Sequence, residues 1–454
     1  MPPVSGSNAK GERVQRSETA SAFPASPAPP AHAWLLDLLF AGTPTVTWAA
    51  AGRLPAGFER AEQFAVLSSG ERSFLVSLAA RPGTASALTS YNALRPGRKR
   101  LIRRALGLGL RTGLAQPLLR DKIDIGTASA GSAGSAGSAG SAAPAADLLR
   151  EHLGQLFGQG PVVMAVGGGS GPYRKPVLQV FSVTGTPLGY VKVGWNDWTR
   201  DAVRREAAAL RACASRPMRI GVPELVGHSV WRGLDLLVTA PLPRRVRGLG
   251  SGAQLPDAES LREISELSPP FVGGLAESPW WHGVRSRIRN GVTDPDARSS
   301  LSHAAQRLEH AFGQMPLEFG TWHGDLVPWN LARIGQRLYA WDWESSAPDA
   351  PLGFDALHFH FQVAFVARGC PLEQAVPLAA SRARPTLEEL GIPAAACGLL
   401  ATLHLVELFL RHEEARSSAG DVDERFYPAV VRVLEQALGP GDGLAGLQPA
   451  GVAA

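Results

Sequence analysis

The chain has 454 residues, 45% of them hydrophobic and 19% charged, so it has enough apolar material for a sizeable core but is too long for one ordinary domain. A formal net charge of +5 permits anionic ligands such as nucleotides, yet no run of basic residues interleaved with aromatic residues indicates a nucleic-acid-binding module. Cys213, Cys370 and Cys397 lie far apart, which indicates neither a disulfide framework nor a zinc site and predicts a cytoplasmic protein.

The N-terminal part of the chain predicts a tail followed by a small α+β domain. Residues 1–33 are polar, rich in Pro, Ser and Ala, and lack the apolar segment of a signal peptide, so they are predicted to be disordered. Residues 34–126 form the predicted accessory domain. Within it, the apolar residues of Gln63–Ala80 lie on both sides of a Ser-Gly turn, which predicts two strands.

Basic residues cluster at the start of the segment Gly97–Arg120, GRKRLIRRALGLGLRTGLAQPLLR. Apolar residues recur in it at helical spacing, so the pattern predicts an amphipathic cationic helix. Such a helix either docks on the protein through its apolar stripe or makes peripheral contact with an anionic membrane. The sequence leaves both alternatives open.

An AGS repeat occupies Ala128–Ala146 and has no periodic apolar face, so residues 127–146 are predicted to be a flexible linker. Residues 147–440 follow as the main domain, and 441–454 as a second tail. The patterns predict strands at Pro161–Val166, Pro176–Val183, Leu188–Gly194, Pro223–Trp231 and Leu234–Leu242, and helices at Ala146–Gly158 and Thr199–Cys213. Beyond them the pattern is mostly helical. This order predicts a small β-rich N-lobe, 147–240, and a larger helical C-lobe, 241–440, joined near Val238–Pro243 with a ligand cleft between them.

The stretch TWHGDLVPWN, Thr321–Asn330, is followed by two short apolar runs that flank Gly335 and Gln336. A two-residue loop with Gly first predicts a hairpin. Counting outward from that loop pairs Leu331 with Ala340 and Asn330 with Trp341.

The predicted pairing brings Asn330 and Asp342 together at the open end of the hairpin, close to Asp325. Two carboxylates and an amide in one small volume repel one another unless a cation or a substrate lies among them. Hard oxygen ligands from Asn330 and Asp342 suit Mg²⁺, which takes its remaining ligands from water and phosphates. Asp325 is then free to orient an attacking hydroxyl and to accept its proton in a phosphoryl transfer.

The pattern HGDxxxxN followed by a DW segment resembles the aminoglycoside phosphotransferase and choline kinase family, which has the two-lobed protein-kinase-like fold. The resemblance covers residues about 147–415. It implies that His323 braces the catalytic loop, that Asp325 is the catalytic base, and that Asn330 and Asp342 bind Mg²⁺.

In the N-lobe the resemblance implies a Lys on the third strand and a Glu on the next helix. Lys192 lies in the otherwise apolar GYVKVG, and Glu206 lies in the helix that follows. The implied cofactors are ATP or GTP with Mg²⁺, and Lys192, paired with Glu206, would contact the α- and β-phosphates. Asp355, in PLGFDALHF, resembles the later Asp that supports the catalytic loop.

Three features leave alternatives open. The segment VGGGSGPYRKPV does not fit GxGxxG, so it is either a phosphate-binding loop or a plain hairpin turn. The tryptophans near the motif, Trp322, Trp329, Trp341 and Trp343, either hold an acceptor by cation–π contact or stacking, or pack in the core. Glu407, Glu413 and Glu414 either attract a cationic acceptor or form a solvated helical face.

The sequence therefore predicts an α+β chain with a kinase-like fold, preceded by a small domain, that transfers the γ-phosphate of a nucleotide to a hydroxyl of an aminoglycoside, amino alcohol or sugar. The expected partner is this small acceptor, with neither nucleic acid nor an obligate protein partner. One alternative is a pseudokinase that binds nucleotide and serves as a regulatory or scaffolding module. A metal-dependent phosphoesterase is a further alternative, but the lysine-bearing strand suits a bound triphosphate better.

Overall fold

The computed structural model describes residues 32–41, 44–69, 72–90, 107–113, 119, 121–129, 147–168, 174–243, 246–249, 254–419, 430 and 432–434. The N-terminal lobe is built on one large sheet, and the C-terminal lobe is mostly helical with two small sheets. The predicted α+β fold with two lobes is therefore confirmed.

Nine antiparallel strands form the sheet of the N-terminal lobe, in the order β1-β4-β2-β3-β5-β6-β7-β9-β8. They are β1 Val46–Ala50, β2 Phe58–Ser69, β3 Arg72–Ser77, β4 Lys122–Ala128, β5 Val163–Gly168, β6 Val177–Phe181, β7 Pro187–Gly194, β8 Leu225–Trp231 and β9 Leu234–Thr239. The seven strands predicted from apolar runs are all among them. Their β-branched and apolar residues alternate between the two faces of the sheet, and each face is covered by helices.

The strands of residues 34–126 continue the sheet that residues 147–240 begin, because β3 pairs with β5, with Val76 opposite Ala165. Helix α1, Ala33–Phe40, covers one face, where Leu36 packs with Met164 in one buried cluster. Helix α2, Arg81–Ser90, covers the opposite face. The sequence predicted an accessory domain, whereas these strands and helices share a sheet and a core with the N-lobe. The domain limits themselves stay a prediction.

Several sequence predictions lie mostly outside the described residues. Of the basic segment Gly97–Arg120 only 107–113 and 119 are described, and 107–112 are helical, with Leu110 buried. The basic residues at its start, the tail 1–31, most of the linker 127–146 and the tail 441–454 lie outside them. The predicted peripheral membrane contact is therefore neither supported nor tested by the described residues.

The long helix of the N-terminal lobe, α4, spans Asp197–Ala214, after the short helix α3, Leu149–Leu156. Asn196 caps α4: its side chain accepts a hydrogen bond from the backbone N–H of Thr199, whose side chain in turn accepts from the backbone N–H of Asn196. This reciprocal capping satisfies two amides that would otherwise lack partners. The cap fixes the start of the helix that carries Glu206.

The C-terminal lobe has six α-helices within the described residues: α5 Ala258–Ser265, α6 Pro279–Gly291, α7 Pro295–Phe312, α8 Phe354–Gln362, α9 Leu372–Glu389 and α10 Ala394–Ala419. Its small sheets are β10-β13-β14, made of Arg247–Gly248, Leu331–Ile334 and Arg337–Ala340, and β11-β12-β15, made of Phe271–Gly274, Pro316–Trp322 and Ala347–Pro351. Helices and sheets enclose one large apolar core in which Trp281, Trp343 and Phe409 are fully buried.

Within the described residues, one helical stretch, Ala394–Arg416, is long and apolar enough to cross a membrane by length and composition. It is the greater part of α10, and 78% of its most apolar window is buried inside the protein. The apolar residues of this helix therefore fill the core of the C-terminal lobe.

Candidate active site

The HGD segment follows directly from β12, and its backbone is held by Asp355 at the start of α8. The Asp355 carboxylate accepts hydrogen bonds from the backbone N–H groups of His323 and Gly324, at 2.8 and 3.1 Å. Gly324 has φ +80°, and a Cβ there would collide with the carbonyl oxygen of Ser345. Only glycine therefore fits, because the position combines a left-handed backbone with close approach of another chain segment. Burial raises the pKa of Asp355, and its contacts with His323 and Gly324 oppose that rise.

His323 is fully buried and does not reach the cleft surface. Its Nδ1 accepts the backbone N–H of Asp325 at 3.2 Å, which places the proton of the neutral ring on Nε2. The ring lies against Trp343, with centroids 4.4 Å apart. Burial lowers the pKa of His323 and outweighs the nearby carboxylates, so the ring is uncharged near neutral pH. The contacts are those of a brace for the loop.

The Asp325 side chain is the partly open member of the loop, with 39% of its surface exposed. Its Oδ2 accepts a hydrogen bond from the Asn330 side-chain amide at 2.9 Å, and its Oδ1 lies 3.3 Å from Nε2 of His358. Burial acts to raise the pKa of Asp325, but these partners together with His323 outweigh it and lower the pKa. The carboxylate is therefore ionised, oriented on two sides and still accessible.

The hairpin has the predicted register, with Leu331 opposite Ala340 and Ile334 opposite Arg337. The Trp341 N–H donates to the Asn330 carbonyl at 3.2 Å, which continues the pairing to the open end. Asp342 follows with a left-handed backbone, φ +67°, an uncommon conformation for a residue other than glycine. The strained turn directs the chain away from the sheet, and the Asp342 carboxylate meets residues of the N-terminal lobe.

Lys192 of β7 joins the two lobes. Its Nζ lies 2.8 and 2.6 Å from the two carboxylate oxygens of Glu206 on α4, and it also contacts Oδ1 of Asp342. Burial acts to lower the pKa of Lys192, but the carboxylates of Asp342, Glu206 and Glu344 outweigh it and raise the pKa well above the ordinary value. The ammonium group stays charged and is the link between the lobes at this point.

Glu344 and Lys175 belong to the same cluster. The sequence assigned Glu344 no role and left Lys175 either to touch phosphate or to be exposed. Lys175 Nζ lies 2.7 Å from Glu344 and 5.0 Å from the centre of the Trp198 ring, and only 8% of its side chain is exposed. Oxygens of Glu206, Asp342 and Glu344 lie within 4.8 Å of one another. Within this group three carboxylates face two ammonium groups. Burial raises the pKa of Glu206 to about 7, although Lys192 opposes the rise.

The carboxylate oxygens of this group are compatible with a divalent cation, because hard oxygen ligands are what Mg²⁺ prefers. Asp342 and Asn330 are the predicted ligands. In the structure the Asn330 amide N–H groups face Asp325, while Asp342 contacts Lys192. Their roles as ligands stay a prediction, as do those of Asp325, His323, Lys192 and Glu206.

Two further side chains that support the loop were missed by sequence reasoning. Arg411 of α10 donates to the carbonyl oxygens of Gly324 and Ser345, at 2.7 and 3.1 Å, and lies 4.1 Å from the centre of the Trp322 ring. His358 lies three residues after Asp355, on the same face of α8. That spacing was the one signal that could have identified His358, whereas nothing in the sequence near Arg411 indicates its contacts.

The tryptophans divide between core and surface. Trp322 and Trp343 are buried in the core of the C-terminal lobe, so the core alternative holds for these two. Trp341 is half-buried. Trp329, one residue before Asn330, is 44% exposed and presents an aromatic surface beside the catalytic loop.

Of the three acidic residues of α10 considered in the sequence, Glu414 is exposed, as the solvated-face alternative expects, but the other two are not. Glu407 and Glu413 are buried, and each is paired with arginine: Glu407 with Arg287 and Arg411, and Glu413 with Arg416. Burial acts to raise the pKa of Glu407, but the two arginines outweigh it and lower the pKa. Because these charges are compensated within the protein, neither alternative from the sequence describes them.

The glycine-rich segment lies between β5 and β6, and its residues 169–173 are outside the described residues. The described part includes Arg174, whose carbonyl oxygen accepts the indole N–H of Trp195 at 3.0 Å. The choice between a phosphate loop and a plain turn stays open at this point.

No family model and no curated protein matches the chain. Among solved structures, it is similar to a thermostable mutant of an aminoglycoside phosphotransferase, at 17% identity and a TM-score of 0.41, with 63% of this chain and 98% of that chain covered. It is similar to the choline kinase LicA from Streptococcus pneumoniae, at 14% identity and a TM-score of 0.38, covering 60% and 89%. It is also similar to the amicoumacin kinase hAmiN, at 10% identity and a TM-score of 0.39, covering 63% and 90%.

These neighbours include an aminoglycoside phosphotransferase and a choline kinase. At these identities and TM-scores the likeness assigns no activity to this chain.

Proposed function

We propose that the chain is an ATP- and Mg²⁺-dependent phosphotransferase that moves the γ-phosphoryl group of ATP to a hydroxyl of a small molecule, of the aminoglycoside, amino alcohol or sugar type. The observation that carries the proposal is the meeting of the two lobes at Lys192. There an ammonium group held by Glu206 reaches Asp342, on the hairpin that begins at Asn330 and follows Asp325. A structural core has no need for this set of charges in one cleft.

In the proposed reaction Asp325 accepts a hydrogen bond from the acceptor hydroxyl and then takes its proton. The hydroxyl oxygen forms the new bond to the γ-phosphorus while the bond to the β,γ-bridging oxygen breaks, and ADP leaves with that electron pair. The lowered pKa of Asp325 keeps its carboxylate ionised and ready to accept the proton.

Lys192 positions the triphosphate, and Glu206 holds the Lys192 ammonium from the opposite side. Lys192 now contacts Asp342 directly, so a bound nucleotide exchanges part of that contact for phosphate oxygens. Asn330 and Asp342 would hold Mg²⁺, which supplies charge neutralisation for the phosphates when bound. His323, Asp355 and Arg411 keep the loop in place without touching the reacting atoms.

The exposed indole of Trp329 is the proposed contact for the acceptor. An aromatic face can stack on a sugar ring or hold an ammonium group by cation–π attraction. Both interactions suit the proposed acceptor classes, so the exposed indole does not distinguish among these classes.

The pseudokinase alternative also has an observation in its favour. The Lys192 ammonium is already bound by the carboxylates of Glu206 and Asp342, with Glu344 3.9 Å away, so the cleft is internally satisfied in this structure. A protein that never exchanged these contacts for phosphate would bind nucleotide weakly and transfer nothing.

The deciding experiment measures ADP release with Mg-ATP over a panel of aminoglycosides, amino alcohols and sugars, for the wild type and Asp325→Asn. The proposal expects ADP release that depends on one acceptor class and is lost in the variant. A thermal shift with Mg-ATP but no acceptor-dependent release would favour the pseudokinase. Release that persists in Asp325→Asn at the wild-type rate would show that the assigned base is wrong.

A further inference from the structure

Two buried histidines form a chain of contacts behind Asp325. Nε2 of His358 lies 3.3 Å from Oδ1 of Asp325, and Nδ1 of His358 lies 3.3 Å from Nε2 of His404. Both rings are almost completely buried, on α8 and α10 respectively. The proposed reaction does not yet use either of them.

Burying two imidazoles costs free energy unless their polar atoms are paired. The surrounding contacts are mostly aromatic: the edges of Trp322, Phe354 and Phe361 meet the two rings. The titratable and charged groups that act on the pair are Asp325 and His323 of the loop, Asp355 of α8 and Arg411 of α10. The pair thus has one carboxylate within hydrogen-bond distance, and that is Asp325.

The direction of the hydrogen bonds that link His404, His358 and Asp325 follows from the donors and acceptors that an imidazole ring offers. Burial, together with His358 and Arg411, lowers the pKa of His404 well below its ordinary value, so this ring is neutral. A neutral His358 has one N–H. If that N–H were on Nδ1, the lone pair of Nε2 would face the ionised Asp325 carboxylate and repel it. The favourable arrangement has His404 Nε2–H donating to His358 Nδ1, and His358 Nε2–H donating to Asp325 Oδ1.

The loop itself offers few side-chain hydrogen bonds that could hold the Asp325 carboxylate. Between Asp325 and Asn330, the side chains of Leu326, Val327 and Pro328 carry no hydrogen-bonding groups, and the side chain of Trp329 is 44% exposed. The Asn330 amide holds Oδ2, but one hydrogen bond still leaves the carboxylate free to rotate about its Cβ–Cγ bond. A second donor on Oδ1 removes that freedom.

We propose that His358 is a positioning residue for phosphoryl transfer, which fixes the plane of the Asp325 carboxylate, and that His404 fixes the tautomer of His358 for this task. The inference rests on the proposed function. The two histidines bind neither nucleotide nor acceptor, so their loss acts on the alignment of Asp325 and not on ATP binding. A misaligned base slows the transfer by about 10- to 100-fold.

The kinetic test compares His358→Leu, which removes the donor, with His358→Gln, whose amide N–H reaches towards the same carboxylate oxygen. We expect kcat to fall by about 10- to 100-fold in His358→Leu with the KM for ATP unchanged, and His358→Gln to recover most of the loss. His404→Leu should show a smaller loss of kcat than His358→Leu, since the direct donor remains. His303→Leu, the same substitution at an exposed position of α7, is the matched control and should behave as wild type.

The second measurement does not depend on turnover. In ¹⁵N-histidine-labelled full-length protein, the long-range nitrogen–proton NMR spectrum reports the tautomer of each ring, and the two variants assign the signals. His404 should be neutral, and both rings should be protonated at Nε2. An Nε2 of His358 that carries no proton would overturn the inference whatever the kinetics show.

The outcomes separate this inference from the proposed function. Wild-type turnover that is equally fast in a folded His358→Leu overturns the positioning role alone. A kcat loss that His358→Gln does not restore also overturns it, because packing and not the donor would then matter. No turnover of the wild type with any acceptor overturns the proposed function, and the positioning role with it.

Discussion

Buried carboxylates occur both in the cleft and in the sheet extension formed by β1–β4, but they are satisfied differently. In the extension, Asp124 accepts hydrogen bonds from the backbone N–H of Gly52 and the amide of Gln63, each at 2.7 Å, and Glu62 accepts the hydroxyl of Ser77 at 2.6 Å. In the cleft, the carboxylates of Glu206, Asp342 and Glu344 are paired with the ammonium groups of Lys192 and Lys175.

The difference indicates which carboxylates hold the fold and which can exchange partners. Neutral donors from the backbone and from short side chains fix a loop or a strand and leave nothing for a ligand to replace. A lysine held between carboxylates can instead transfer part of its attraction to an incoming phosphate. Substitutions in the two regions should therefore change different quantities: stability in the extension, and turnover or nucleotide affinity in the cleft.

The largest expected effect is at Asp325. Asp325→Asn keeps the shape of the side chain but cannot accept the proton, so kcat should fall by about 1,000-fold or more while ATP affinity stays within about twofold. ADP release and calorimetric ATP binding measure the two quantities. Asp124→Asn is the counterpart in the extension and should lower the denaturation midpoint while retaining most of the activity. If Asp124→Asn abolished transfer and left stability unchanged, the contrast between the regions would not hold.

Asp342→Ala should weaken Mg-ATP binding by about 10- to 100-fold, because it removes both a proposed metal ligand and a contact of Lys192. The same variant should bind metal-free ATP no more weakly than wild type, since the loss of a carboxylate next to Lys192 frees the ammonium group. Calorimetry with and without Mg²⁺ separates the two effects. Equal weakening in both conditions would argue against a metal ligand at this position.

Glu62 should make stability depend on pH within the extension. Burial, only partly offset by Ser77 and Arg150, raises its pKa from 4.5 to about 7. The folded state then keeps a proton that the unfolded state releases, so the contribution of Glu62 to stability is full below pH 4.5 and falls as the pH rises towards 7. Relative to Glu62→Gln, the wild type should lose up to about 3 kcal/mol of unfolding free energy between these limits. Denaturant titrations of both proteins across this range measure the difference, and parallel curves would contradict it.

The smallest effect is expected at the cap of α4. Asn196→Ala removes the side-chain acceptor for Thr199 and should lower the unfolding free energy by about 1 kcal/mol. Because α4 carries Glu206, the KM for ATP should rise slightly, while kcat stays near wild type. Asn196→Asp, which keeps the acceptor, is the matched control. A change in kcat without any change in stability would show that Asn196 takes part in the site directly.

Local patterns predicted the parts of this structure that depend on neighbouring residues. The two-residue loop at Gly335 and Gln336 was enough to give the register of the hairpin that begins next to Asn330. The family resemblance, and not the local pattern, implied the pair of Lys192 and Glu206, which are separated by 14 residues.

Contacts between distant segments were not predictable in the same way. Arg411 and Gly324 are separated by 87 residues, and His404 and His358 by 46, so no periodicity links them. The pairing of β3 with β5 was also missed, because the AGS repeat between these strands has no pattern that indicates which strand edges pair. Neither alternative considered for Glu407 included its pairing with Arg287, because that arginine comes from a different helix.

The continuous sheet has a consequence for how the chain can be shortened. In the intact protein β3 covers the outer edge of β5, the strand that leads into the glycine-rich segment. A chain that started after the AGS repeat would leave the N–H and C=O groups of that edge exposed to solvent and open to pairing with another molecule. Removal of the first 146 residues is therefore expected to yield an aggregating protein and not an independent catalytic half, even though the repeat looks like the natural place to cut.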